Sequence, residues 1–344
     1  MKLEMIKRLF DKKIFVFIIL SAVLIAAMFA AASIGAVAVS VGDCLRMLLS
    51  KAGLCAAPDV ADNVRFIFFN LRLPRILMAV LGGAALAVCG CVFQSIFRNP
   101  ICDPYILGIS SGASLGAAVA FILGWNLLLF GVTLTALLTA LLTLALIFFI
   151  TRRHRSTYSL LLVGVALNFF ISALITLLMV LNQESMHKIM FWTMGSLANA
   201  GWVDVLIVSS GFVVVLFLLF YFSKDLNLLQ LGDETAKSLG VDTQRVTLIA
   251  LTLASLLIAL VVSFCGVIGF VGLVVPHIVR LVVGAGCRKM MFWSLFVGAL
   301  FLLLADTIAR TVAIPAELPV GSVTALIGGP YFIFLLLNNK RGNL

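Results

Sequence analysis

Charge is scarce in this chain: of 344 residues, 24 are Lys or Arg and 14 are Asp or Glu, 11% in all. A soluble domain carries about 25% charged residues, so most of this surface must face lipid or other membrane helices. Histidine is rarer still. His154, His187 and His277 are scattered between inner face, outer loop and span, and no enzyme constellation forms around them. No GxxxxGK[ST] phosphate loop is present, which excludes ATP binding and hydrolysis by that route. Cysteine is modest, at seven residues, and Cys89-Gly90-Cys91 is neither CxxC nor close in sequence to a histidine, so no metal site is expected. Cys44 and Cys55 share the first outer loop, either as free thiols or as a disulfide.

What the chain does have is apolar length. It is 63% hydrophobic, with mean hydropathy +1.23. About 20 apolar residues span a bilayer, and the runs give about ten spans: 14–38, 72–97, 106–123, 127–150, 158–181, 203–222, 246–265, 267–284, 290–313 and 322–338. The expected fold class is therefore an all-α polytopic membrane protein, one membrane domain over residues 1–344. The third, eighth and tenth spans are short or interrupted by Gly and Pro and are not expected to cross as simple rods. The first run, Ile14 to Val41 without a charge, is longer than the 7–15 residue core of a signal peptide and reads as a true span.

An even number of spans places both ends on one side. With both termini cytosolic, 17 of the 24 Lys and Arg fall on inner segments, as the positive-inside bias requires. The net charge of +10 is thereby explained by orientation, without nucleic acid. Gly90, Pro100 and Gly108 repeat the spacing of Gly266, Pro276 and Gly284, either an inverted repeat or coincidence in a Gly-rich chain.

The one sizeable polar insert runs over about residues 223–245. In Asp233-Glu234-Thr235-Ala236-Lys237-Ser238-Leu239-Gly240, Asp233 suits an N-cap, Glu234 the positive helix end, and Gly240 a stop. The helix would be about two turns long, with Ala236 and Leu239 on one side. Too short to be stable alone, it should lie on its own membrane domain and show its other face to a partner.

Polar groups inside the spans are few. Asp306 and Arg310 are four apart and can pair on one helix face, a neutralised pair in preference to a proton relay. Arg72 and Arg75, at the outer start of the second span, run against the charge bias and with Arg310 suggest a positive outer rim for an acidic partner or snorkelling to lipid phosphate. Gly164 and Asn168, mid-way along the fifth span, either line a pathway or glue helices. Met179, Met186, Met190, Phe191, Trp192 and Met194 form either an adaptable apolar gate or interfacial anchors.

Taken in order, these residues resemble a known family over nearly the whole chain. Arg72-Leu73-Pro74-Arg75, Gly82-Gly83-Ala84-Ala85-Leu86-Ala87, Gln94 and Arg98-Asn99-Pro100 open the match. Pro104, Leu107-Gly108-Ile109-Ser110 and Gly112-Ala113 continue it. Leu231-Gly232-Asp233-Glu234, Leu239-Gly240-Val241, Gly269-Phe270-Val271-Gly272-Leu273, Pro276-His277, Arg280, Asp306 to Arg310, Glu317 to Gly321 and Gly328-Gly329-Pro330 follow. The pattern resembles the permease subunits of type II ABC importers for ferric siderophores, haem and cobalamin. The resemblance implies a ten-helix subunit that pairs as a homodimer or with a paralogous permease. It also implies two ATPase subunits that carry ATP and Mg, no cofactor on this chain, and a periplasmic or lipid-anchored binding protein docking outside. By position, Asp233, Glu234, Ala236, Leu239 and Gly240 look like the ATPase coupling helix, and Arg72, Arg75 and Arg310 like the binding-protein contacts. Ser156 and Thr157 look like an inner gate, with Leu161, Gly164 and Asn168 along a pore-lining fifth span. An iron chelate is the expected cargo and the bacterial inner membrane the expected location. Ile101-Cys102-Asp103 departs from the family's usual small or leucine residues, and Asp103 there could alter packing or ATPase contact.

Overall fold

Long apolar runs must satisfy their backbone internally in lipid, and this chain does so with helices. The computed structural model describes residues 2–35, 37–56, 58–128, 130–152 and 157–338, and among them there is no β-strand. Helices α1 (Lys2–Ser33) and α2 (Val41–Lys51) are followed by α3 (Asp62–Phe66), a π-helical turn (Ile67–Arg72) and α4 (Leu73–Ile96). Then come α5 (Ile109–Ile122), α6 (Gly131–Thr151), α7 (Thr157–Leu181), α8 (Gln183–Thr193) and α9 (Trp202–Tyr221). The polar insert holds α10 (Ser223–Leu229) and α11 (Asp233–Ser238). It leads into α12 (Thr243–Cys265), α13 (Val271–Val283), α14 (Cys287–Ala309) and α15 (Val320–Asn338).

Seven of the helices are long and apolar enough to cross a membrane, and the shorter apolar helices Ile109–Ile122, Val271–Val283 and Val320–Phe334 bring the set to ten. The short three are those that Gly and Pro punctuation marks in the sequence. Ahead of α5, Pro104 opens a 3-10 turn and Gly108 takes a left-handed φ of 72°; Pro276 and Pro330 lie inside α13 and α15. The second span starts earlier than hydropathy suggests. Its helix runs unbroken from Asp62 because the π turn carries the chain past Asn70 and Arg72 without ending it. A π turn frees carbonyls, and here Asn70 Nδ2 donates to Phe66 O (3.2 Å) and Trp202 Nε1 to Phe69 O (2.9 Å).

The α4 helix is the axis of the molecule, with 83% of its most apolar stretch buried against 11% for α1. Its small residues let neighbouring backbones come close. A Cβ on Gly83 would fall 2.2 Å from Gly298 O of α14, and one on Gly90 1.9 Å from Gly272 O of α13. Lipid is as apolar as a leucine side chain, so close van der Waals contact, not escape from water, holds this bundle together. The repeat spacing does not reflect equivalent structures. Gly90 lies inside α4 and Gly266 ends α12 at φ 67°; Pro100 sits in a turn and Pro276 inside α13.

Candidate functional site

At the N-terminal end of α4, polar residues collect from segments far apart in the sequence. Arg75 lies along Asp306 of α14, with Nε 3.0 and 3.1 Å from the two carboxylate oxygens and Nη2 2.9 Å from Oδ1. Its Nη1 reaches Glu317 Oε2 at 2.8 Å. Asp306 is fully buried, while the Glu317 side chain is 46% exposed. The sequence pairs Asp306 with Arg310; that contact exists at 3.9 Å, but Arg75 holds the carboxylate. The reason is geometric: a side chain four residues along the same helix runs beside the carboxylate, whereas Arg75 arrives from the facing helix and can lie across it.

Arg310 and Arg72 instead serve the C-terminus of α1. Arg310 Nη2 donates to Ala31 O, and Arg72 Nη1 donates to Ala32 O at 2.9 Å and Nη2 to Val37 O. The last carbonyls of a helix have no intrahelical donor and lie at its negative end, so two guanidinium groups suit them. Arg72, Arg75 and Arg310, expected as a positive rim, are 6, 8 and 7% exposed, because the π turn and the fold of α1 over them draw all three inward. Glu317 stands in a matched stretch, but the sequence assigns it no role, since it sits in a loop with no periodicity to mark it.

At the opposite end of α4, the insert lies on the bundle through named contacts. Gln230 Nε2 donates to Ser95 Oγ of α4 (3.0 Å), and Asn227 Oδ1 accepts from Cys287 N at the start of α14 (2.6 Å). Arg98, just beyond α4, donates from Nε to Leu229 O (2.8 Å) and pairs through Nη2 with Asp233. The N-cap of α11 is Gly232, at φ 113°, and not Asp233, whose carboxylate is taken by Arg98. The two apolar residues also separate: Ala236 is fully buried and Leu239 is 57% exposed. Leu239 is the C-cap of α11, one residue past the last helical position, and the chain turns away through Gly240 at φ 87°. Leu231, Glu234, Lys237 and Leu239 are exposed.

Along the fifth span, Ser156 lies outside the described residues, and Thr157 begins α7. Leu161 is half-buried and, with Ile96, Phe97, Arg98, Asn99 and Tyr158, lines an inner cavity of about 350 Å³. Gly164 and Asn168 both make close contacts with the segment ahead of α5. A Cβ on Gly164 would fall 2.5 Å from Ile106 O. Asn168 Nδ2 donates to Tyr105 O and Ile106 O at 3.2 Å each, and its Oδ1 accepts from Ser111 Oγ at 2.6 Å. Tyr105 O also accepts from Gly108 N at 3.0 Å, so the amide adds a second donor there and supplies one to Ile106 O at the break before α5, a need water cannot meet in lipid. The outward face of α7 carries Tyr158, Leu162, Phe169 and Phe170, and only 17% of this span is buried.

Asp103 caps the 3-10 turn by accepting from Tyr105 N at 2.7 Å, and burial raises its carboxyl to about 6. Cys44 is buried and Cys55 exposed, both as free thiols. Of the methionine and aromatic stretch, Met186, Phe191 and Met194 are exposed near the outer end. No group of three or more His, Cys, Asp or Glu side chains among the described residues is placed to hold a metal ion.

A family model described as the FecCD transport family matches residues 23–338. The chain belongs to this family. It is 38% identical over 286 residues to a hemin transport system permease protein of Yersinia pestis, covering 81% of this chain and 86% of the relative. To a cobalamin import system permease protein of Halobacterium salinarum it is 41% identical over 290 residues, 83% and 78% of the two chains. A molybdate import system permease protein of Haemophilus influenzae is 36% identical over 315 residues, 90% of this chain and 92% of that one. A solved ABC transporter of metal-chelate type, in an inward-facing conformation, superposes with TM-score 0.83 at 34% identity, covering 94% of this chain and 98% of that one. The family is one of multi-pass permease subunits of ABC importers, whose ATPase is a separate subunit.

Proposed function

We propose that this chain is the permease of an ATP-driven importer that passes an iron chelate from an external binding protein to the cytosol. The observation that carries the coupling is the insert. It is polar and charged, yet it exposes Leu231 at 63% and Leu239 at 57% beside Glu234 and Lys237. Two exposed leucines on so polar a segment have no use in water and suit the groove of an ATPase. ATP binding there would move the inserts as rigid bodies and switch the pathway between outward and inward openings.

The bare face of α7 suits a second copy or a paralogous permease, with the pathway between them. The distribution of Lys and Arg supports both termini in the cytosol and the Arg75–Glu317 end outside. There an acidic partner would meet Glu317 and the rims of three mostly sheltered arginines, so shape and long-range charge, not direct pairing, would guide docking. The metal-chelate type of the solved neighbour and the relatives named for iron chelatin transport in Helicobacter pylori support an iron chelate. A porphyrin or corrinoid is the second reading, favoured by the relatives named for hemin and cobalamin.

The test is assembly and coupling. The chain, coexpressed with the ATPase of its transport system, should copurify with it, and Leu239→Asp should abolish copurification while leaving the permease folded. An unchanged complex after Leu231→Asp/Leu239→Asp would remove the insert from the coupling interface.

A further inference from the structure

The sequence gives Arg98 no function of its own, and the structure places it, beside the Gln230–Ser95 bond, where the long central helix meets the insert. One guanidinium spans the bend between two short helices. Its Nε donates to Leu229 O, the last residue of α10, at 2.8 Å, and its Nη2 pairs with Asp233, the first residue of α11. Three residues, 230–232, form that bend, and Gly232 at φ 113° makes it sharp. The Leu229 carbonyl also accepts from Gly232 N at 3.2 Å, and Gln230 within the bend donates to Ser95 of α4 at 3.0 Å. Arg98 adds the contact that ties both short helices to one side chain.

The chain has to bend to allow this. Arg98 follows the end of α4 with a φ of 51°, a left-handed conformation that a residue other than glycine rarely adopts. The reversal turns its side chain back across the insert. Behind Arg98, α4 runs about 36 Å at 1.5 Å per residue, nearly all of it buried, to Arg75 and its two carboxylates at the far end. A stiff buried helix with a fixed charge contact at each end can transmit displacement, whereas a solvated loop cannot.

The geometry points to Arg98 as a positioning residue for energy coupling: it locks the α10–α11 bend to α4, so that a push on the insert moves the central helix and is not absorbed at residues 230–232. This rests on the proposed importer role. It adds a residue outside the coupling helix and a route, insert to Arg98 to α4, by which the motion enters the membrane.

Stability separates this role from a merely structural one. The pair is 39% and 55% exposed on its two side chains, a class of contact whose removal costs little folding stability. The experiment uses the complete complex in proteoliposomes, with wild type, Arg98→Gln, Arg98→Lys and Asp233→Asn. It reads ATPase copurification, ATP hydrolysis, and ATP-dependent uptake of a panel of haemin, cyanocobalamin, ferric hydroxamate and molybdate. For the cargo that wild type moves, Arg98→Gln should keep the complex and its hydrolysis but lose about tenfold in cargo moved per ATP, within the usual range of coupling effects. Arg98→Lys, which keeps the charge but cannot hold both partners in one plane, should fall between. Asp233→Asn combined with Arg98→Gln should be no worse than Arg98→Gln alone. Unchanged cargo per ATP in Arg98→Gln overturns the lock while leaving the importer intact. A wild-type complex that neither binds an ATPase nor moves cargo with ATP overturns the importer, and the lock with it.

Discussion

Replacing Asp306 by Asn removes the single fully buried carboxylate from a cluster of three sheltered arginines. Arg75 then keeps only Glu317, at 2.8 Å, and Arg310 loses its one nearby anion at 3.9 Å. Breaking a buried pair from one side costs about 3–5 kcal/mol; because Glu317 still balances part of Arg75, the lower end, about 3 kcal/mol, is expected here. Glu317→Gln is the control. Its side chain is 46% exposed, so water takes over much of its role and the loss should be about 0–1 kcal/mol. The assay is reversible unfolding of the purified chain in mixed micelles, wild type and both variants in parallel, with Arg75→Gln/Asp306→Asn closing the cycle. The double variant should cost less than the sum of its singles, since it leaves fewer uncompensated charges. Equal losses for Asp306→Asn and Glu317→Gln would refute the assignment of Asp306 as the buried anchor. A fully stable Asp306→Asn that has lost transport would revive the proton relay.

Asn168→Leu should cost about 1–3 kcal/mol by removing the side-chain donor of Ile106 O and one of the two donors of Tyr105 O, read in the same micelles. Gly90→Val should be worse than Gly90→Ala, because even one Cβ meets Gly272 O at 1.9 Å and the helices must part; thermal unfolding of both variants ranks them. Burial raises the Asp103 carboxyl from 3.8 to about 6, so the folded state holds the proton more tightly than the unfolded one. That contribution is present at low pH and lost as pH rises through about 6. Asp103→Asn keeps the acceptor for Tyr105 N–H and should gain stability over wild type as pH goes from 5 to 7, in unfolding runs at each pH. A membrane-impermeant maleimide added to intact cells should label exposed Cys55 and spare Cys44; labelling of Cys55 only after lysis would invert the orientation.

Much of the fold is legible in the sequence because lipid makes strict demands. Runs such as 203–222 have no alternative to a helix, and the Gly and Pro residues near α5, α13 and α15 announce where spans shorten. The misreadings all come from contacts between distant segments. Nothing local shows that Asp306 belongs to Arg75, 231 residues away, or that Arg72 turns inward to the end of α1. An i,i+4 pairing is the only partner a sequence displays, so Arg310 looks like the answer. The same limit acts at the insert. Its helix, its stop at Gly240 and its polar character can be read, but which of Ala236 and Leu239 faces the bundle depends on where α10 sends the chain. Arg98 stands in a matched stretch, but its contacts cannot be read there: its partners lie 131 and 135 residues on.

The most direct test of the central claim is ATP-dependent uptake by the chain reconstituted with its ATPase and binding protein, over a panel of ferric siderophores, haemin, cobalamin and molybdate. The account predicts accumulation of a ferric chelate that requires both ATP and the binding protein and is unaffected by collapsing the proton gradient. Uptake driven by a proton gradient without ATP would contradict the importer itself, and ATP-dependent uptake of another cargo alone would contradict the iron assignment.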